Sequence, residues 1–410
     1  MKSWSWIPSL YFAQGLPNVV VVTLSVVAYK RLGISNAEIT LYTGWLYLPW
    51  VIKPLWSPVV EMLRTKRWWI IITQLLTGAG LAGVAFTLPG PDAFRYSLAF
   101  LWLVAFSSAT HDIAADGFYM LGLEERQQAF FVGWRNTFYR IAVLVGQGLL
   151  VMLVGLLEVR RPSIAAAWGT VFLLLAALFL LLALYHRFVL PRPLVDRPVG
   201  TRGWAAFIDT FTAFFRTRGI VPALAFLLLF RFAEAQLAKI ASPFLLDSPE
   251  CGGLGMSTAA YGLAYGTVGL AALTIGGIAG GIFLARRGFR RSIGWMALAL
   301  NLPNLVYVYL ALARPGATWI ISSCVAVEQF GYGFGFTAFT FFMILFSDGP
   351  RRTACYALCT GFMALGMMLP GMASGWIQEM TGYPAFFLWI MGCTIPSFIV
   401  ARLAARLIDR

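Results

Sequence analysis

The sequence predicts an all-α membrane protein with 12 transmembrane helices in two pseudo-symmetric six-helix bundles. Three observations predict it. Of 410 residues, 60% are hydrophobic and only 12% charged, a balance outside that of soluble domains of this size. The apolar residues fall into runs long enough for spanning helices, which need about 20 residues each. The two halves of the chain also repeat each other.

The runs lie near 6–28, 37–60, 68–88, 96–118, 129–157 and 164–188, then near 219–246, 257–284, 292–313, 317–346, 354–376 and 384–406. Residues 1–190 form the first bundle, 191–218 a linker, and 219–410 the second. The N-terminus has no small-residue cleavage site, so the first run reads as a retained span. With the N-terminus inside, about 20 Lys and Arg fall on the cytoplasmic side and about six on the other. By the positive-inside rule, both termini are cytoplasmic. The net charge of +14 is then a topology signal, and no nucleic acid is expected as a partner.

In the linker, Pro191, Pro193 and Pro198 break any helix. Residues 203–217 read as an amphipathic helix, with Trp204, Phe207, Phe211, Phe214 and Phe215 at helical spacing beside Arg216 and Arg218. It suits the cytoplasmic interface, as a plain connector or as a gate.

The repeat is visible at the entry to spans two and eight. Leu32-Gly33-Ile34-Ser35 with Gly44 is matched by Leu254-Gly255-Met256-Ser257 with Gly266. Ser35 and Glu38 form a plausible capping box. Phe12-Ala13-Gln14 aligns with Phe232-Ala233-Glu234. The exit of span eight, from Gly281 through Arg286-Arg287-Gly288 to Arg290-Arg291, resembles the loop signature of the major facilitator superfamily. Ala285 stands where that signature has an acid. At the matching exit of span two, Glu61 keeps the acid and Ser57 replaces the glycine. That superfamily's plan implies a solute site near mid-membrane between the halves.

Further stretches resemble the AmpG-type muropeptide permeases of the peptide/acetyl-coenzyme A transporter family. They are Gln14-Gly15-Leu16-Pro17, Lys53-Pro54-Leu55-Trp56-Ser57-Pro58, His111-Asp112-Ile113-Ala114-Ala115-Asp116-Gly117, Tyr139-Arg140, Pro243-Phe244-Leu245-Leu246 and Arg351-Arg352-Thr353-Ala354. The span-four motif is the most specific, and His111 departs from the family's usual glutamine. The resemblance implies proton-linked uptake of an anhydromuropeptide-like solute across the bacterial inner membrane.

Ionisable residues inside spans cost about 2.5–3.5 kcal/mol each on insertion scales, and they usually face a bundle interior or water path. They are the candidate functional residues. In span four, Ser108, Asp112 and Asp116 share a face. Each acid is either a proton carrier or part of a fixed pair with Arg135 or Lys53. Asp116, Arg135, Lys53 and Glu61 are read as a cytoplasmic-side charge network. In span five, Asn136, Arg140 and Gln147 line one face; Arg140 either forks onto a substrate carboxylate or neutralises Asp112.

Span seven is densest. Arg231, Glu234, Lys239 and Ser242 fit one helical face, suited to an anionic solute, with an internal Arg231–Glu234 pair as the alternative. Span ten aligns Glu328, Gly331, Tyr332 and Gly335. Glu328 has no charged neighbour in its span and is the first choice for proton carrier, ahead of Asp112 and Glu234. Arg140, Arg231, Lys239, Asn136, Gln147 and Tyr332 are the expected substrate contacts. His111 is either a hydrogen-bonded structural residue or a relay; His186 reads as interfacial. Trp45, Trp50, Tyr42, Tyr261 and Tyr265 are candidates for stacking on sugar rings.

Five cysteines without a CxxC pair or Cys/His cluster give no metal site, and no cofactor is expected. The expected partners are a small anionic solute, protons and the lipid bilayer, for a monomer. Rival readings are carriage of a siderophore, acyl-coenzyme A or a drug, and a membrane acyltransferase. Two histidines in no catalytic constellation weigh against the enzyme.

Overall fold

A computed structural model describes residues 2–194, 196–198, 202–348 and 352–408. Every described element is helical. In chain order they are α1 (Ile7–Val19), α2 (Ser25–Arg31), α3 (Asn36–Trp45), α4 (Leu48–Leu63), α5 (Lys66–Thr87), α6 (Ala93–Gly122), α7 (Glu125–Leu144), α8 (Val151–Glu158) and α9 (Ile164–Val189). Then come α10 (Arg202–Phe215), α11 (Ile220–Leu229), α12 (Phe232–Leu246), α13 (Thr258–Tyr261), α14 (Leu270–Arg287), α15 (Phe289–Asn301), α16 (Leu305–Ala313), α17 (Thr318–Phe346), α18 (Arg352–Gly392) and α19 (Ile395–Ile408).

Among the described residues, ten helical stretches are long and apolar enough to cross a membrane. The last, Cys355–Leu407, is 53 residues long. It breaks at Gly382, whose φ of 76° suits glycine and strains other residues, and so it makes two passes. Residues 36–63 supply a further pass as α3 and α4, which meet at a turn after Trp45. The 12 expected passes are thereby accounted for.

By its contacts the chain forms two compact units. The first comprises Met1–Leu32 and Ile52–Phe207. Within it α5 packs on α6 and α9, and α1 on α7. The second comprises Gly33–Val51 and Ile208–Arg410. There α18 packs on α3 and α12, α17 on α14 and α15, and α11 on α19. Helix α3 thus belongs by contact to the second unit.

Small residues bring helices together where no hydrophobic force operates between them. A Cβ on Gly276 of α14 would meet the Phe330 carbonyl of α17; one on Gly331 or Gly335 of α17 would meet carbonyls of Ala299 or Met296 on α15. The span-ten glycines therefore seat α17 against α15.

The repeated entry motif has a local cause. Ser35 and Ser257 each cap a helix, accepting from the backbone N–H of Glu38 and of Ala260, both at 3.2 Å. The expected box at Ser35 is modified: the Glu38 carboxylate accepts from the Ser35 hydroxyl at 3.0 Å. Among the described residues, three spans also carry π-helical segments, Val20–Leu24, Val145–Leu150 and Gly262–Gly269. Such wider turns shift side chains around the helix and recur at functional sites.

In the linker, α10 forms as expected, but Trp204 and Phe207 lie outside the described side chains. Phe214 is buried and stacks on Phe362 at 6.0 Å, while Phe211 and Phe215 are partly exposed. The C-terminal part of α10 is thus anchored to the second unit.

Candidate functional site

The second unit holds a buried polar cluster. Its charged members are almost inaccessible: Glu328 is 2% exposed, Glu234 3% and Arg231 8%, while Lys239, further along the same helix and 5% exposed, lies against other residues. The span-seven helix is not continuous, because α11 ends before Phe230 and Arg231 has non-helical dihedrals (φ −109°, ψ 23°) ahead of α12. The uninterrupted helical wheel drawn through Arg231, Glu234 and Lys239 therefore does not hold at its first member. The break frees Arg231 to reach across to α17. It donates to the Tyr332 hydroxyl at 2.5 Å and lies over the Tyr332 and Phe336 rings at 5.1 and 4.7 Å.

Glu234, one turn into α12, is an electrostatic neighbour of both Arg231 and Glu328. Its Oε2 has no hydrogen-bond partner, nor has Nε of Arg231. Glu328 accepts from Gln329 at 2.9 Å, and Gln329 also donates to the Tyr265 hydroxyl at 3.3 Å. Tyr265 sits in the Gly262–Gly269 π segment and stacks on Tyr261 at 5.6 Å. Tyr261 in turn pairs with Ser242 at 2.6 Å. The buried Tyr307 is an electrostatic neighbour of Glu328 and Glu234.

Buried polar atoms without partners are rare in proteins. Here two of them, Oε2 of Glu234 and Nε of Arg231, belong to residues that are electrostatic neighbours. On the same α12, Lys239 donates to Thr43 Oγ1 of α3 at 2.9 Å and lies 5.0 Å from the Tyr47 ring. A cation and aromatic face are therefore available beyond the cluster.

The first unit arranges its charges differently. Lys53 meets Asp112 at 3.6 Å and Arg135 meets Asp116 at 3.0 Å. Arg135 also lies between the Tyr11 and Tyr119 rings, at 4.7 and 5.1 Å. Arg140 is exposed on α7. Gln147 donates to Thr23 at 3.1 Å, joining two π segments. Glu61 and Asn136 lie outside the described side chains.

His111 and His186 belong to one buried chain. Ser9 meets His186 Nε2 at 2.9 Å, His186 Nδ1 meets Gln74 Oε1 at 2.9 Å, and Gln74 Nε2 meets His111 Nε2 at 3.0 Å. His186 is wholly buried, and Ser9 and Gln74 satisfy both its ring nitrogens.

Sequence reasoning did not single out Gln74, Gln329 or Tyr307. A glutamine or tyrosine in mid-span is a weak signal by itself; only its partners on other helices give it meaning.

Comparisons with known proteins agree on the class. The chain is 24% identical to the putative transporter AmpG 4 of Rickettsia conorii, over 95% of this chain and 94% of that protein. It is 23% identical to the anhydromuropeptide permease of Escherichia coli K12, over 98% of this chain and 79% of the permease. Among solved structures, the nucleoside transporter NupG matches with a TM-score of 0.72 at 17% identity, covering 100% of this chain and 98% of the other. A D-xylose-proton symporter matches with 0.71 at 13% identity, covering 99% of this chain and 96% of the other. These establish the major facilitator fold. The sequence pattern of the BT1 family matches residues 14–310, so this multi-pass membrane transporter belongs to the BT1 family.

Proposed function

We propose that the protein is a proton-coupled carrier that brings an anionic, muropeptide-like solute into the bacterial cytoplasm by alternating exposure of the site to the two membrane faces. The observation that carries this reading is the buried cluster of one guanidinium with two carboxylates, Arg231, Glu234 and Glu328. One guanidinium balances one carboxylate. The cluster is therefore neutral with one proton held between Glu234 and Glu328. A solute carboxylate that forks onto Arg231 takes up that balance, and a second proton then keeps the cavity neutral. Solute and proton move together because neither crosses cheaply alone.

Arg231 is the proposed clamp, with Tyr332 holding the guanidinium and Lys239 attracting the anion. Glu328 is the proposed carrier and Glu234 its partner. Tyr261 and Tyr265, stacked at 5.6 Å, offer a flat face suited to a sugar ring. Asp112 and Asp116, each facing a cation at 3.6 and 3.0 Å, are assigned with Lys53 and Arg135 to a structural or gating network. The muropeptide assignment draws on the Escherichia coli relative, whose name states its cargo. Cytoplasmic termini follow from the Lys/Arg asymmetry of the loops.

Proteoliposomes test the reading. An inward proton gradient should drive saturable uptake of an anhydromuropeptide, with alkalinisation of the outer medium. Uptake that ignores the gradient would overturn proton coupling. Uptake of a siderophore or acyl-coenzyme A in its place would overturn the cargo.

A further inference from the structure

Two adjoining grooves lie on the second unit, apart from the charged cluster. One, of about 530 Å³, is lined by Phe283, Trp295, Leu298, Leu302, Pro303 and Phe334, with Arg287 at its edge. The other, of about 500 Å³, is lined by Ile293, Leu298, Phe398, Ala401 and Ala405, with Arg290, Arg291 and Arg402. Trp295 and Leu298 belong to both, so the two form one continuous surface on α14, α15, α17 and α19.

The turn at Gly288 creates the basic rim. Its φ of 73° and ψ of 163° suit glycine alone, and it sets the end of α14 directly against the start of α15. Arg287 thereby comes beside Arg290 and Arg291. All three are exposed, as is Arg402. Arg287 is held over the Phe283 ring at 4.8 Å, on the groove wall. Helix α15 starts with no side-chain cap and no acidic residue in its first turn, yet carries two arginines there. Cations at that end oppose the helix dipole, an arrangement that a bound anion relieves. Among the described residues, neither groove is lined by a carboxylate. Trp295 is 61% exposed, in keeping with an interfacial anchor.

We propose that this surface is a binding site for an anionic phospholipid bearing two phosphates, of the diphosphatidylglycerol (cardiolipin) type. Charge complementarity and shape both point to it. Two apolar grooves sharing a tryptophan wall accept separate acyl chains, and Arg287, Arg291 and Arg402 at their edges match two phosphates. Basic pockets between helices at a membrane face take such head groups, and phosphates fit the arginine fork. A zwitterionic lipid would satisfy the grooves and leave the rim unbalanced.

Native mass spectrometry and thermal melting of the full-length protein in mild detergent test this. Cardiolipin should be retained in preference to phosphatidylethanolamine and should raise the melting temperature. Combined Arg287→Gln, Arg291→Gln and Arg402→Gln should lower cardiolipin affinity by about fivefold per arginine and remove the thermal shift. Arg160→Gln with Arg161→Gln, exposed in the first unit, should change neither. If the triple variant misfolds, Arg402→Gln alone should still lose about fivefold. Equal retention of phosphatidylethanolamine, an equal thermal shift from inorganic phosphate, or an unaltered preference in the arginine variants would overturn the proposal.

Discussion

The two units treat buried charge in opposite ways. In the first, each described acid of span four faces a cation: Asp112 with Lys53 and Asp116 with Arg135. Their side chains keep 14% and 38% of their exposure. In the second, Arg231, Glu234 and Glu328 lie in one buried cluster, all are nearly inaccessible, and Oε2 of Glu234 and Nε of Arg231 lack hydrogen-bond partners. A closed pair holds its charge state, whereas an under-balanced cluster changes state when a proton or anion arrives. The proposed transport site is thus set apart by incomplete compensation of its charge rather than by charge alone.

The largest effect is expected at Arg231. Arg231→Ala leaves the buried Glu234 without its neighbouring cation, and loss of one partner from a buried pair costs about 3–5 kcal/mol. Solute affinity should fall by about two orders of magnitude or more, as for truncated charge-assisted contacts. Equilibrium binding in detergent checks this; unchanged binding of an anionic solute would remove the clamp. Next in size is Gly276→Leu, which drives a side chain into the Phe330 carbonyl. A loss of about 1–3 kcal/mol or more is expected from overpacking, read as a lowered melting temperature.

A smaller effect is expected in the first unit. His111→Gln retains a partner for Gln74 and should cost about 1 kcal/mol while leaving proton-driven uptake intact. Loss of the gradient response in that variant would make the His111–Gln74–His186 chain a relay. Smallest is Arg31→Gln, which breaks the contact with Glu158 at 3.0 Å. With Arg31 30% exposed, about 0.5–1 kcal/mol is expected by melting.

The pass count and the identity of the charged residues were legible in the sequence, because hydrophobic runs and costly charges are local signals. Arg231, Glu234, Glu328 and Tyr332 were all named, and the structure gathers them. Their geometry was not legible. The wheel through span seven assumed a continuous helix, and nothing in Leu229-Phe230-Arg231 announces a break. The Gly262–Gly269 π segment that carries Tyr265 is equally silent. His186 looked interfacial because it lies near a span end; its burial depends on Ser9 and Gln74, distant in sequence. Phe214, by contrast, was found by helical spacing alone.

Glu328 is the proposed carrier of the coupled proton. The direct measurement is uptake by Glu328→Gln in proteoliposomes, taken in two modes side by side. Proton-gradient-driven accumulation of the solute should be abolished, while counterflow exchange of labelled for unlabelled solute continues near the wild-type rate. Accumulation at the wild-type rate would rule out Glu328 as the proton carrier.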